Sequence, residues 1–157
     1  YLKGAKAAAG DAELDFRVVG NWYDAGKGSE LARDIYRSGS SVILAIAGGA
    51  NQGVVSAAGD TGNGVIWFDS SGYDVAPGTV LGSTRIELDR AAYEKTREAI
   101  AGELPFGSAE TVGIADGYIG FVTEHPAYRK YLDADLRKKL ETHLAALKAG
   151  KVTVPRQ

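Results

Sequence analysis

Apolar and polar positions along the chain follow two rhythms that alternate. Three short apolar runs have the length of strands: Asp15–Gly20 (DFRVVG), Ser41–Ala47 (SVILAIA) and Val65–Asp69 (VIWFD). Between them the spacing predicts two helices. Lys27–Ser38 gathers Leu31, Ala32 and Ile35 on one face, and Gln52–Asp60 gathers Val54, Val55, Ala57 and Ala58. The second and third strand runs are almost continuously aliphatic, as strands are when helices cover both faces of a parallel sheet. Strand, helix, strand, helix, strand predicts an α/β chain with an open, mainly parallel sheet in a three-layer arrangement.

Further on, Ala76-Pro77-Gly78 is a turn signal before a short strand, Thr79–Gly82, and a helix predicted over Arg85–Ala101. Two strands are then expected, Thr111–Ala115 and Tyr118–Val122, separated by Asp116-Gly117. That dipeptide suits a type I′ hairpin turn, or the pair is one chain crossing between two lobes. Leu136, Leu140, Leu144 and Leu147 put a buried stripe on a helix over Asp133–Ala149, and Leu132 extends it. Gly150 stops that helix before a short extended strand ending at Pro155. At the other end Tyr1–Ala9 reads as the middle of a helix, with no capping residue ahead of it, so the chain is expected to continue N-terminally.

A chain of 157 residues with 45% apolar content buries one ordinary core. The formal net charge of -2 carries no excess of Lys and Arg, and hence no electrostatic footprint for nucleic acid or an anionic membrane. No run reaches the roughly 18 consecutive apolar residues that a membrane-spanning helix needs. Cysteine is absent, which removes disulfides, thiolate chemistry and cysteine-ligated metals.

In open α/β sheets ligands bind beyond the carboxyl ends of the parallel strands, and three segments fall there. Gly20-Asn21-Trp22-Tyr23-Asp24 follows the first predicted strand; the flat indole of Trp22 suits stacking on a planar ligand, or else plugs the edge of the core. Gly48 and Gly49 follow the second and open a helix, where a bare backbone can approach a ligand and free N–H groups can meet an anion or carbonyl. The same glycines also suit a tight turn with no ligand, and the segment is neither a P-loop nor a dinucleotide fingerprint. Asp69 ends the third strand. Its carboxylate can accept two hydrogen bonds from a vicinal diol such as that of ribose, or it closes a turn.

Signs of catalysis are few. His125 precedes Pro126 in a predicted loop and His143 lies on the charged terminal helix, so neither has a partner at metal-ligand spacing. There is no G-x-S-x-G elbow. The charge-rich run Arg129–Glu141 reads as a solvated helix face.

Taken in order, the segments resemble one family. GNWYDAGKGSELA (Gly20–Ala32), AIAGG (Ala45–Gly49), the strand ending at Asp69, APGTVLGS (Ala76–Ser83), DRAAY (Asp89–Tyr93) and LKAGKVTVP (Leu147–Pro155) are similar to the basic membrane protein family of ABC-transporter substrate-binding lipoproteins, which includes purine nucleoside receptors. The resemblance covers nearly the whole chain.

It implies the type I periplasmic binding-protein fold, in which two lobes close on a solute about a hinge. Residues 1–115 would be most of the second lobe, lacking its N-terminal strand. Residues 116–157 would be the hinge crossing and closing segments that return to the first lobe. A purine nucleoside is the implied solute, with Trp22, Gly48, Gly49 and Asp69 as ligand-binding residues and no cofactor or metal. Where the family usually carries a Lys, an ungapped match places Ile86, and Arg85 beside it is the positive donor expected instead. The implied partners are the permease subunits of an ABC importer. The implied location is the periplasmic or extracellular face of the cell membrane, held by an N-terminal lipid anchor outside this chain. The sequence leaves two alternatives open: a sensory or regulatory ligand-binding protein of the same fold, and an α/β enzyme acting on nucleosides or sugars.

Overall fold

The computed structural model describes residues 2–152. Helices α1 (Leu2–Ala8) and α2 (Ala25–Arg37) precede strand β1 (Val42–Ala45). A single 3-10 turn, Gly48–Ala50, then leads into α3 (Asn51–Thr61), β2 (Gly64–Trp67) and β3 (Val80–Ile86). After α4 (Leu88–Ala101) come β4 (Ile119–Phe121), α5 (Pro126–Tyr131) and α6 (Ala134–Lys148). The strands form one sheet in the order β1-β2-β3-β4, with β1–β2 and β2–β3 parallel and β3–β4 antiparallel. The expected α/β class, an open and mainly parallel sheet with flanking helices, is what the chain adopts.

Two apolar clusters hold the layers together. In the first, Ala32 and Tyr36 of α2 and Val54, Val55, Ala57 and Ala58 of α3 pack with Ala45 of β1 and Val65 of β2. Their side chains are small, and the two helices approach closely. A Cβ at Gly28 would lie 2.5 Å from the Ala50 carbonyl oxygen, and one at Gly53 would overlap the Ala25 carbonyl. Tyr36 crosses this core and donates from its hydroxyl to the Gly64 carbonyl at 3.0 Å, so its polar end is not buried unpaired. The second cluster joins Tyr73, Val80, Val122 and Tyr128, with Leu140 of α6 against it. Here Tyr73 donates to the Val122 carbonyl at 3.2 Å and stacks on His125, ring centres 4.9 Å apart.

Four expectations are corrected. Asp15–Gly20 forms no strand: β1 pairs only with β2, and Phe16 and Val18 stay 74% and 69% exposed, with no surface on which an alternating pattern could be buried. Thr111–Ala115 forms no strand either. The chain there folds into a turn in which Asp116 accepts from the Gly113 amide at 2.8 Å and the Tyr118 amide reaches the Gly113 carbonyl. This is not a type I′ hairpin, which needs positive φ at both central residues, because Gly117 alone of the pair has it. Arg85 and Ile86 belong to β3 rather than opening the next helix, since Thr84–Ile86 finds a partner strand in β4. Lastly, the loop expected at His125 and Pro126 gives way to a short helix, Pro126–Tyr131. His125 is its N-cap, its Nδ1 accepting from the Ala127 amide at 3.2 Å, and Pro126 sits at the first helical position. The strand expected after Gly150 falls largely outside the described residues.

Helix α4 stands apart from both clusters, with none of its residues buried. Polar contacts tie it to the segment before β4: Lys95 to Glu110 at 2.7 Å, the Tyr118 hydroxyl to Glu94, and Arg90 over the Tyr118 ring.

Candidate functional site

The parallel register aligns Ala45 of β1, Trp67 of β2 and Ser83 of β3, so the segments just beyond them form one rim at the carboxyl edge of the sheet. Ile46–Gly49 and Phe68–Ser70 are therefore neighbours although about twenty residues separate them in sequence.

At the first of these segments the structure brings Trp22, Gly48 and Gly49 together. The loop before α2 is built by two short polar side chains. Asn21 accepts from the Tyr23 and Asp24 amides, both at 2.8 Å, and Asp24 caps α2 by accepting from the Lys27 amide at 2.8 Å. The Trp22 carbonyl then accepts from the Ala50 amide at 3.3 Å. Gly48 takes φ +56°, and a Cβ there would meet Trp22 Cε3 at 3.3 Å and the Trp22 carbonyl at 3.1 Å. The room left by both glycines is thus taken first by Trp22, whose indole lies on Gly48 and remains 59% exposed. Asn51, only 6% exposed, fixes the turn from behind: its Oδ1 accepts from the Ala47 amide at 2.9 Å and its Nδ2 donates to the Ala45 carbonyl at 3.4 Å.

Asp69 stands one strand over. Among the described residues it is the non-glycine with positive φ, at 71°. Its carbonyl accepts from the Ile86 amide at 3.1 Å and its amide donates to Thr84 Oγ1 at 3.3 Å, both from β3. The loop beyond it is pinned in the same way. Gly72 donates to Ser83 Oγ at 3.0 Å, and a Cβ on Gly72 would strike the Trp67 ring at 2.2 Å. Among the described residues no hydrogen bond or ion pair engages the exposed Asp69 carboxylate, which leaves its acceptor oxygens open at the rim.

An open, mainly parallel α/β sheet with flanking helices is the fold expected of the family named above. The Bmp family model, described as ABC transporter substrate-binding protein PnrA-like, matches residues 1–152. The chain belongs to the Bmp family. It is 30% identical over 125 residues to basic membrane protein D of Borreliella burgdorferi, covering 78% of this chain and 37% of that protein. Over a shorter stretch of 58 residues it is 40% identical to the ABC transporter nucleoside-binding protein BmpA of Lactococcus lactis, covering 37% of this chain and 16% of that protein. Its fold is similar to that of an ABC transporter solute-binding protein from Aeropyrum pernix K1, with a TM-score of 0.78 and 18% identity over 99% of this chain and 51% of the other. The chain spans about half the length of that solved relative, and less of the two matched by sequence.

In this Bmp-family chain Arg85 is not drawn toward Asp69. Strand alternation sets it on the face opposite Thr84, where its Nη1 lies 2.5 Å from Glu124 Oε1. Its Nε lies 2.5 Å from Glu87 Oε1 without hydrogen-bond alignment. The Glu124 carboxyl is held below the ordinary range by its own backbone amide and then by the Arg85 charge. A cavity of about 180 Å³ opens there between Phe121, Leu144 and Lys148. Tyr73 also departs from the surface role its position in the Asp69 loop invites: it is 1% exposed and belongs to the core. Sequence reasoning passed over Asn21, Asn51, Ser83 and Thr84. The signal available was short polar residues bracketing glycine turns, which hold backbone in place more often than they bind ligand.

Proposed function

We propose that this chain is the larger part of the second lobe of the solute-binding component of an ABC importer, and that it captures a purine nucleoside in a cleft formed with a first lobe. The observation that carries this reading is the free Asp69 carboxylate, turned out at a strand end on the same rim as the exposed indole of Trp22. A carboxylate there accepts from the two hydroxyls of a ribose while an indole offers a flat apolar face to the base. Gly48 and Gly49 bring backbone to the same place, whereas Arg85 stands on the other face of β3, paired with Glu87 and Glu124, and is given no contact with the solute. The nucleoside-binding protein of Lactococcus lactis, to which part of the chain is 40% identical, supports the choice of solute. The partners are then permease subunits, and the working location is the outer face of the cell membrane, reached through an N-terminal lipid anchor.

Isothermal titration of the intact, ligand-free protein with adenosine, guanosine, inosine and ribose tests this, with Asp69→Ala as the comparison. Nucleoside binding that the variant loses supports the reading. Absence of heat with every nucleoside, in protein shown to be folded, sinks the purine assignment.

A further inference from the structure

Asp69 holds a left-handed backbone conformation, φ 71°, that an L-residue adopts only at a cost, so something must over-determine it. The structure names the means. Strand β3 presents three polar groups to the loop after β2: Ser83 Oγ accepts from the Gly72 amide at 3.0 Å, Thr84 Oγ1 accepts from the Asp69 amide at 3.3 Å, and the Ile86 amide donates to the Asp69 carbonyl at 3.1 Å. Ser83 and Ile86 fix the two sides of the loop. Thr84 is the side-chain group among them that touches Asp69 itself, and its hydroxyl also donates to the Trp67 carbonyl at 3.4 Å, the last residue of β2. One hydroxyl therefore bridges the strand end and the residue two positions beyond it. Thr84 sits inside the β3–β4 pairing, opposite Phe121, so its backbone is fixed by the sheet and its hydroxyl arrives at a set height.

We propose that Thr84 is the positioning residue of the site: its hydroxyl holds Asp69 in the left-handed conformation and so aims the carboxylate at the hydroxyls of the solute. This rests on the nucleoside reading above for the identity of those hydroxyls, and on the geometry alone for the hold on Asp69. Thr84 does not touch the solute. Removing its hydroxyl therefore weakens the recognition of ribose hydroxyls and leaves the rest of the binding energy in place.

The test compares Thr84→Val, which keeps the shape and removes the hydroxyl, with Thr84→Ser, which restores it. Each is titrated in the intact protein with adenosine and with 2′,3′-dideoxyadenosine, which lacks the 2′ and 3′ hydroxyls assigned to Asp69. Loss of one long hydrogen bond to a binding carboxylate's backbone is expected to weaken adenosine about fivefold in the valine variant. Dideoxyadenosine affinity should stay unchanged and serine should recover most of the loss. Equal weakening of both nucleosides, or of neither, would overturn the proposal. A merely structural role moves both together. If the unaltered protein binds no nucleoside, the solute reading fails separately, and amide hydrogen exchange at Asp69 decides the positioning role. Exchange accelerated about tenfold in the valine variant, at unchanged thermal midpoint, upholds it as local release. Unchanged exchange overturns it.

Discussion

Gly53 of α3 faces Ala25 of α2 so closely that a Cβ on Gly53 would lie 1.8 Å from the Ala25 carbonyl oxygen and 2.8 Å from the Ser29 amide nitrogen. Both obstacles are backbone in the first turn of α2, so neither can rotate away. The crossing of the two helices is thus set by a missing side chain, and the rim depends on it, because α2 carries the Trp22 loop at its start and α3 carries the Gly48-Gly49 turn at its own.

Gly53→Ala is expected to destabilise the fold by about 3 kcal/mol, since an overpacked methyl must push two helix backbones apart. Urea unfolding measures it. Gly59→Ala on the same helix is the control: its Cβ would meet only Thr79 Oγ1, at an ordinary 3.6 Å, and alanine is the better helix former. A Gly53 variant as stable as the Gly59 one would show that the helices separate freely.

Burial raises the hydroxyl pKa of both Tyr36 and Tyr73 from 10.0 to about 12. In the unfolded chain these phenols lose their protons near pH 10, while in the fold they keep them to about 12. The folded state then binds more protons, and stability that is fully present below pH 10 falls as pH rises between those values. Urea midpoints recorded from pH 8 to pH 11.5 should decline above about 10, and the double substitution Tyr36→Phe with Tyr73→Phe should flatten that decline. An equally steep decline in the double variant would assign it to other groups.

Asn51→Leu should cost about 2 kcal/mol, because it leaves the Ala47 amide and the Ala45 carbonyl without their side-chain partner at a turn buried behind the rim. If solute binding depends on the shape of that turn, affinity falls along with stability. Thermal unfolding and titration of the one variant report both, and an unchanged melting midpoint would mean water replaces the amide.

The sequence contains two tryptophans, at positions 22 and 67. Trp22 is exposed on its glycine bed, whereas Trp67 is half-buried with its indole N–H donating to Ser70 Oγ at 3.2 Å. A base stacking on Trp22 should quench the longer-wavelength part of the emission as nucleoside is added, and Trp22→Phe should abolish that change while keeping measurable affinity. Quenching that survives in the variant would place the base elsewhere.

Much of the fold was legible in the chain. The helices predicted at Lys27–Ser38 and Gln52–Asp60 appear as α2 and α3, and the aliphatic runs after them as β1 and β2, within a few residues at each end. Their periodicity records burial against the sheet, and burial is what the structure shows for Ala32, Val54, Ala58 and Val65. The failures share one physical origin. Asp15–Gly20 and Thr111–Ala115 have strand-like composition, but a strand exists only where another strand offers hydrogen bonds, and neither segment has that neighbour here. Conversely, Arg85 and Ile86 have helical neighbours in sequence and became strand because β4, more than thirty residues on, pairs with them.

The candidate site divides in the same way. From sequence alone came the positions where a ligand could be met, because glycines, an aromatic and a carboxylate at strand ends are local facts about backbone freedom and side-chain chemistry. Only the tertiary structure decided how those positions are held: that Trp22 fills the space its glycines leave, that Thr84 reaches across to the Asp69 amide, and that Arg85 turns to Glu124. Those relations are set by which strands lie side by side and at what register. That is a property of the packed chain, and residues fifteen to forty apart carry no local mark of it.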